Sequence, residues 1–193
     1  MFDNLWAFMD QFVQFTPGEK DKIKASITIK DVPKHFALVE LEDIAREIYF
    51  INKGLLRFYY LTEDGNEITG FIFQENMFAG SHESFFSQLP STQVLETLED
   101  SELFAFSFES LHQLFRDIPN MNVFARKLLE VRMAFAQKVV ASLIMQKPQD
   151  RYTSYQLLHP ELEKRVPQHI LASYMGITPV SLSRIRKRLA DGK

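Results

Sequence analysis

Arg184, Lys187 and Arg188 stand at i, i+3 and i+4, the spacing that puts three cations on one face of a helix. The chemistry open to such a face is recognition of a polyanion. Arginine pairs bidentately with a guanine edge, and either cation type holds a phosphate. Ser181 and Ser183 add hydroxyls to the same stretch. Nothing else in the chain offers a comparable constellation. The five histidines, His35, His82, His112, His159 and His169, are scattered, without the His-x-His plus carboxylate that a metal-dependent β-roll enzyme needs, so no metal site is expected. With no cysteine there is no disulfide, iron–sulfur cluster or thiol switch. No glycine-rich phosphate loop, nucleophile elbow or carboxylate pair signals catalysis, and the chain is expected not to be an enzyme and to need no cofactor.

The charge distribution agrees with a polyanion partner. Residues 151–193 hold eight Lys and Arg against three Asp and Glu, a balance of +5, while the whole chain is −3, which leaves −8 for residues 1–150. A basic segment on an acidic body fits double-stranded DNA. The amino terminus has no basic stretch before an apolar run, and no segment approaches 18 apolar residues, so neither a signal peptide nor a membrane span is expected and the default location is the cytoplasm.

The elements that must present the basic face can be read next to it. Gln168–Met175 has helical spacing and follows Pro167, Gly176 breaks it, and Thr178 caps a second helix with Pro179 at its first position. Ala172, four residues before Gly176, supplies the small side chain that two crossing helices require. Two helices around a tight turn, the second carrying Arg184, Lys187 and Arg188, form a helix-turn-helix pattern whose second helix enters the major groove. Upstream, residues 121–145 contain no glycine or proline, and Phe124, Leu128, Val131, Phe135, Val139 and Leu143 form an apolar stripe. At roughly 1.5 Å per residue such a helix spans about 40 Å, more than a small domain covers, so this stripe is expected to seal a homodimer. Lys147-Pro148 ends it. Residues 27–107 carry short β-branched and aromatic runs separated by turn signals, with Asp64-Gly65 marking a hairpin, and suggest a small barrel or jelly roll. Residues 2–25 read as helical, and Thr16-Pro17 with Glu19 is a capping-box start. The expected class is α+β: residues 1–118 a β-roll with amino-terminal helices, 119–147 a dimerisation helix, and 148–193 an all-α helix-turn-helix domain with no trailing wing.

Two segments carry a family likeness. ENMFAGSHESFF with LPSTQVLETLEDSELFAFS resembles the phosphate-binding cassette and following strands of the cAMP receptor protein/Fnr superfamily of bacterial transcription regulators, and VPQHILASYMGITPVSLSRIRKRL resembles its helix-turn-helix. The resemblance implies a cyclic-nucleotide-binding-like β-roll, a dimer helix, a DNA-binding domain, and RNA polymerase as a further partner. It also exposes departures. Where nucleotide-binding members carry Gly-Glu, this chain has Gly80-Ser81; where they carry Arg-Ser or Arg-Thr, it has Ser91-Thr92. The residues that grip ribose and phosphate are missing, so cAMP is not expected to bind. A different small-molecule effector is expected, if any, in a pocket around Gly80, Ser81, His82, Glu83, Ser91 and Thr92. In the recognition helix Ser181 and Arg184 match the family, while Val180 stands where a polar residue is frequent and can meet a thymine methyl. The DNA-contacting set is expected to be Thr178, Val180, Ser181, Ser183, Arg184, Lys187 and Arg188. Two alternatives stand beside this reading: a ligand-blind regulator whose roll only scaffolds the dimer, and a cupin-like enzyme or non-DNA interaction module.

Overall fold

The runs of alternating and continuous apolar residues between 27 and 107 become eight antiparallel strands in the computed structural model, which describes residues 1–192. They are β1 (Thr28–Val32), β2 (Ala37–Val39), β3 (Glu47–Lys53), β4 (Leu56–Leu61), β5 (Glu67–Phe73), β6 (Phe78–Ala79), β7 (Val94–Thr97) and β8 (Ser101–Ser107). One sheet has the order β1-β8-β3-β6, the other β2-β7-β4-β5, and together they form the roll. β8 lies between β1 and β3 and is buried from Leu103 to Phe106, which is why its sequence is continuously apolar. β4 and β5 make the hairpin that Asp64-Gly65 signals, closed by Thr62 N–H donating to the Asn66 carbonyl at 3.0 Å.

Two short helices precede the roll, α1 (Asp3–Met9) and α2 (Pro17–Ala25). The expected capping box is present: Thr16 N–H donates to Glu19 Oε2 at 2.8 Å and Glu19 N–H donates to Thr16 Oγ1 at 3.3 Å. The heavy phenylalanine content has a specific use. Rings from α1 (Phe8), β3 (Phe50), β6 (Phe78) and Phe124 of the long helix contact one another at centroid distances of 5.3 to 6.4 Å. One aromatic cluster therefore joins the amino-terminal helix, the roll and the long helix, each tilted or edge-on pair contributing about 0.5–1.5 kcal/mol beyond burial.

Within the cassette, α3 (His82–Ser87) connects β6 towards β7; after β8 come α4 (Phe108–Asp117) and the 27-residue α5 (Pro119–Met145). α5 starts with Pro119 at its first position, and its first turns are buried through Met121 and Phe124. The expected stripe on this helix faces the protein's own body in part. Phe124 is 4% exposed in the roll's core, Leu128 packs against that core, and Phe135 meets Phe71 edge-on at 5.7 Å. Val131 of that stripe is exposed, and so is a second row on the other side, Leu129, Met133, Ala136 and Val140, which Leu143 of the stripe joins at its carboxy-terminal end. The helix is apolar on both faces, so spacing alone does not say which one the roll takes.

Beyond α5 come α6 (Pro148–Leu158), α7 (Pro160–Arg165), α8 (Gln168–Tyr174) and α9 (Pro179–Ala190); no strand follows α9 among the described residues. Their core, built on Tyr152, Leu162, Ile170, Leu171, Leu182 and Ile185, is continuous with Leu55, Ile72 and Leu98 of the roll. The carboxy-terminal helices thus dock on the outer side of the β4–β5 sheet. Arg165 clamps the junction, bonding Glu75 at 2.8 and 2.9 Å and Glu99 at 2.6 and 3.0 Å. Ser173 of α8 accepts from Thr69 N–H at 2.9 Å and donates to the Glu67 carbonyl at 3.2 Å, along the edge strand β5. No helix among the described residues is long and apolar enough to cross a membrane.

Candidate nucleic-acid interface and ligand site

The turn that aims α9 is a Schellman closure. Gly176 N–H donates to Ser173 O at 2.9 Å and Ile177 N–H to Ala172 O at 3.0 Å, with Gly176 at φ +67°, the left-handed conformation glycine adopts without a Cβ penalty. Thr178 then caps α9, its hydroxyl accepting from Ser181 N–H at 3.2 Å and lying 3.0 Å from Ser181 Oγ. Leu182 and Ile185 point into the core, which turns Val180, Ser183, Arg184, Lys187 and Arg188 outward. Val180 is 60% exposed. Ser181 is half-buried and engaged with Thr178, so within the expected DNA-contacting set it belongs to the cap as much as to the face.

The basic excess read from the sequence divides into structural and free cations. Arg165 is held by two carboxylates of the roll, Arg186 by Glu163 at 3.0 Å, and Lys164 by Glu161 at 2.8 Å. Arg151 donates to the carbonyls of Ser142, Gln146 and Met175, tying the end of α5 to the turn between α8 and α9. Arg184, Lys187 and Arg188 have no ion-pair or hydrogen-bond partner among the described residues. Arg184 and Arg188 line an open groove together with Lys147, Pro148 and Gln149 at the start of α6. Lys147 joins the basic face through tertiary folding; in sequence it reads only as the residue before a helix-starting proline. The face offers cations at helix spacing, a valine and a serine, all solvent-exposed.

The cassette is closed from within. Ser81 and Ser91, which stand at the expected ribose- and phosphate-gripping positions, are buried with their hydroxyls 2.8 Å apart. Gln93 donates to Ser81 Oγ at 3.0 Å, and Ser91 donates to the Gln93 carbonyl at 2.7 Å. Gln93 Oε1 is buried without a hydrogen-bond partner among the described residues. A Cβ on Gly80 would stand 2.9 Å from Ile48, so the backbone there presses on β3. Glu83 and Thr92 face solvent. The six expected pocket residues are therefore not one lining: Gly80, Ser81 and Ser91 are buried, Glu83 and Thr92 point out, and His82 turns towards α5.

His82 meets a group that sequence reasoning missed. Its Nδ1 lies 2.9 Å from the Gly80 carbonyl, which can only accept, so Nδ1 carries the hydrogen; Nε2 then accepts from Arg132 Nη1 at 3.0 Å. Burial pushes the imidazole pKa down to about 4, with the Arg132 charge acting in the same direction. Arg132 also donates to the Phe78 carbonyl at 2.9 Å and stands over the Phe73 ring at 5.7 Å, with no carboxylate within ion-pair distance among the described residues. Burial lowers the Arg132 pKa as well. No group of three or more metal-ligating residues exists among the described residues.

Comparisons with known proteins place this architecture. Residues 29–117 match the cyclic nucleotide-binding domain family. Across 173 aligned residues the chain is 25% identical to the fumarate and nitrate reduction regulatory protein of Yersinia pestis, covering 82% of this chain and 67% of that one. Among solved structures, the c-di-GMP responsive global regulator CLP of Xanthomonas campestris is 23% identical with a TM-score of 0.74, covering 92% of this chain and 93% of that one. The Thermus thermophilus catabolite activator protein is 21% identical with a TM-score of 0.59, covering 94% and 86%. The likeness read from the cassette and helix-turn-helix segments is borne out, as is the α+β class.

Proposed function

We propose that this protein is a homodimeric, DNA-binding transcription regulator of the Crp/Fnr type whose cassette has lost cyclic-nucleotide recognition; the match of residues 29–117 to the cyclic nucleotide-binding domain family and the 25% identity to a regulatory protein support the reading. The observation that carries the reading is α9: a capped helix whose three unpaired cations, Arg184, Lys187 and Arg188, all face solvent. Lys147 extends that face to the start of α6. A two-fold dimer presents two such helices to successive major-groove turns, roughly 34–36 Å apart, a spacing taken from regulators of this architecture. The dimer contact runs along the outward row of α5, Leu129, Met133, Ala136, Val140 and Leu143, whose steps of 4, 3, 4 and 3 repeat as a coiled-coil seam does. RNA polymerase is the natural further partner of such a regulator.

The loss of nucleotide recognition rests on the closed cassette. Ser81 and Ser91 bond each other, and neither supplies the charge that a cyclic phosphate needs. Calorimetry with cAMP and cGMP is expected to show no binding at micromolar concentration. The DNA reading is tested by titrating genomic-site and random duplexes at two salt concentrations: affinity falls steeply with salt on both, with the slope set by the number of phosphates neutralised, and remains higher on the specific site. Binding to neither duplex at low salt overturns it.

A further inference from the structure

A cavity of about 60 Å³ lies outside the cassette, between its outer surface and helices α4 and α5. Its walls include Phe78, Phe86, Leu111, Phe124 and Leu129, and its polar groups are His82 and Arg132. Phe86, which lies outside the proposed dimer seam, is 46% exposed and leaves a way in. Arg132 is the anomaly. It is a largely buried guanidinium whose only hydrogen-bond partners among the described residues are the Phe78 carbonyl and His82 Nε2, both reached through Nη1. Its Nε and Nη2 hydrogens have no protein acceptor there, and no carboxylate neutralises it. A desolvated cation without a counterion is costly, and the cost falls when an anion arrives. His82 cannot be that counterion, because the Gly80 carbonyl fixes its hydrogen on Nδ1 and leaves it a neutral acceptor.

We propose that this cavity binds a short-chain carboxylate, its carboxyl paired with the free edge of Arg132 and its alkyl body among Phe78, Phe124 and Leu129. The planar guanidinium fork matches a carboxylate bidentately. The almost wholly apolar wall disfavours phosphate, which would bring a second charge and oxygens with no donors to meet them. An apolar cavity of roughly 150 Å³ holds benzene, so this one of about 60 Å³ fits an alkyl body of about two to three carbons. The site sits on α5, and its occupant would be the effector of the regulator proposed above; that consequence rests on the regulator reading, whereas binding itself does not.

The test uses the full chain without DNA, with acetate, butyrate, butan-1-ol and inorganic phosphate as probes, followed by calorimetry and thermal shift. Butyrate is expected to bind more tightly than acetate by about fourfold per added methylene, and at least tenfold more tightly than butan-1-ol. Arg132→Gln should erase the preference for butyrate over butan-1-ol, and Ala125→Leu, which fills the cavity from α5, should abolish butyrate binding with Arg132 intact. Both variants should retain cooperative unfolding. The proposal is overturned if butyrate shows no saturable binding by roughly 10 mM, if phosphate binds as tightly as butyrate, or if folded Arg132→Gln binds butyrate undiminished. DNA titration of the same unliganded protein reports on the regulator reading separately.

Discussion

At the scale of single residues, function divides cations by whether they have partners. Arg184 is exposed about one turn into α9, where a side chain still reaches a base edge, so Arg184→Ala should cost about 1–3 kcal/mol on the specific duplex and little on random DNA. Competition titration of the two duplexes measures it, and equal weakening would make Arg184 a phosphate contact. Lys187→Ala should weaken both alike and lower the salt slope by about one. Arg186 lies in the same basic run yet bonds Glu163 and Tyr152, so its removal should loosen the carboxy-terminal core more than DNA binding. That distinction was hidden in the sequence, since partners 23 and 34 residues away have no local signature. The same is true of His82, which reads as a lone histidine until α5 brings Arg132 to it. Its folded pKa of about 4 lies below an unfolded value of about 6.5. The unfolded chain therefore takes the proton first as pH falls, and the stability of the neutral imidazole is complete above pH 6.5 and lost between about 6.5 and 4. Urea unfolding at pH 7 and pH 5 should differ by about 2 kcal/mol more in the wild type than in His82→Gln.

At the scale of elements, legibility followed locality. The Thr16 capping box, the Asp64-Gly65 hairpin, the glycine turn at Gly176 and the Thr178 cap are made by residues within five positions of one another, and each was readable because the hydrogen bonds close locally. α5 was readable as a helix but not as an interface. Steps of three and four through Phe124, Leu128 and Phe135 describe one face of it, and steps through Leu129, Met133 and Val140 describe another just as apolar. Which one the roll takes is decided by Phe8, Phe78 and Phe71, from α1, β6 and β5, which touch Phe124 and Phe135. The two faces predict different mutants. Met133→Asp, on the outward row, should leave the fold stable and shift light scattering from about twice 22.5 kDa to that mass. Phe135→Asp should instead lower thermal stability, by about 0.5–1.5 kcal/mol, because it removes the edge-on Phe71 contact. A Met133→Asp protein that remains dimeric would place the seam elsewhere.

At the scale of the whole molecule, the helix-turn-helix is held against the roll by a few well-defined contacts. The Arg165 clamp joins two carboxylates, Glu75 and Glu99, on different connections of the roll. The three side chains are about one-third exposed, so the two pairs together are worth about 0.5–2 kcal/mol and weaken with salt. Arg165→Ala should raise the undocked fraction correspondingly, read as faster hydrogen exchange at Thr69, whose amide is bonded to Ser173. Burial raises the Glu75 carboxyl pKa, but the bonds from Arg165 and from Gly54 N–H outweigh it and hold the group below its ordinary value. Docking is therefore supported at neutral pH and released as acid protonates Glu75 below the usual carboxylate range. None of this junction was visible in the sequence, because Arg165 and Glu99 are separated by 66 positions. β5 is the edge strand of its sheet, and Ser173 occupies hydrogen-bonding groups at Thr69 and Glu67 that would otherwise face outward. The carboxy-terminal domain thus covers a strand edge that would otherwise be open to pairing with another chain. Without that cover, a bare strand edge beside the exposed Ile68 would be a template for another chain. The same two hydrogen bonds that dock the domain therefore also protect solubility, so a variant with weakened docking should aggregate sooner than its loss of contacts alone would predict.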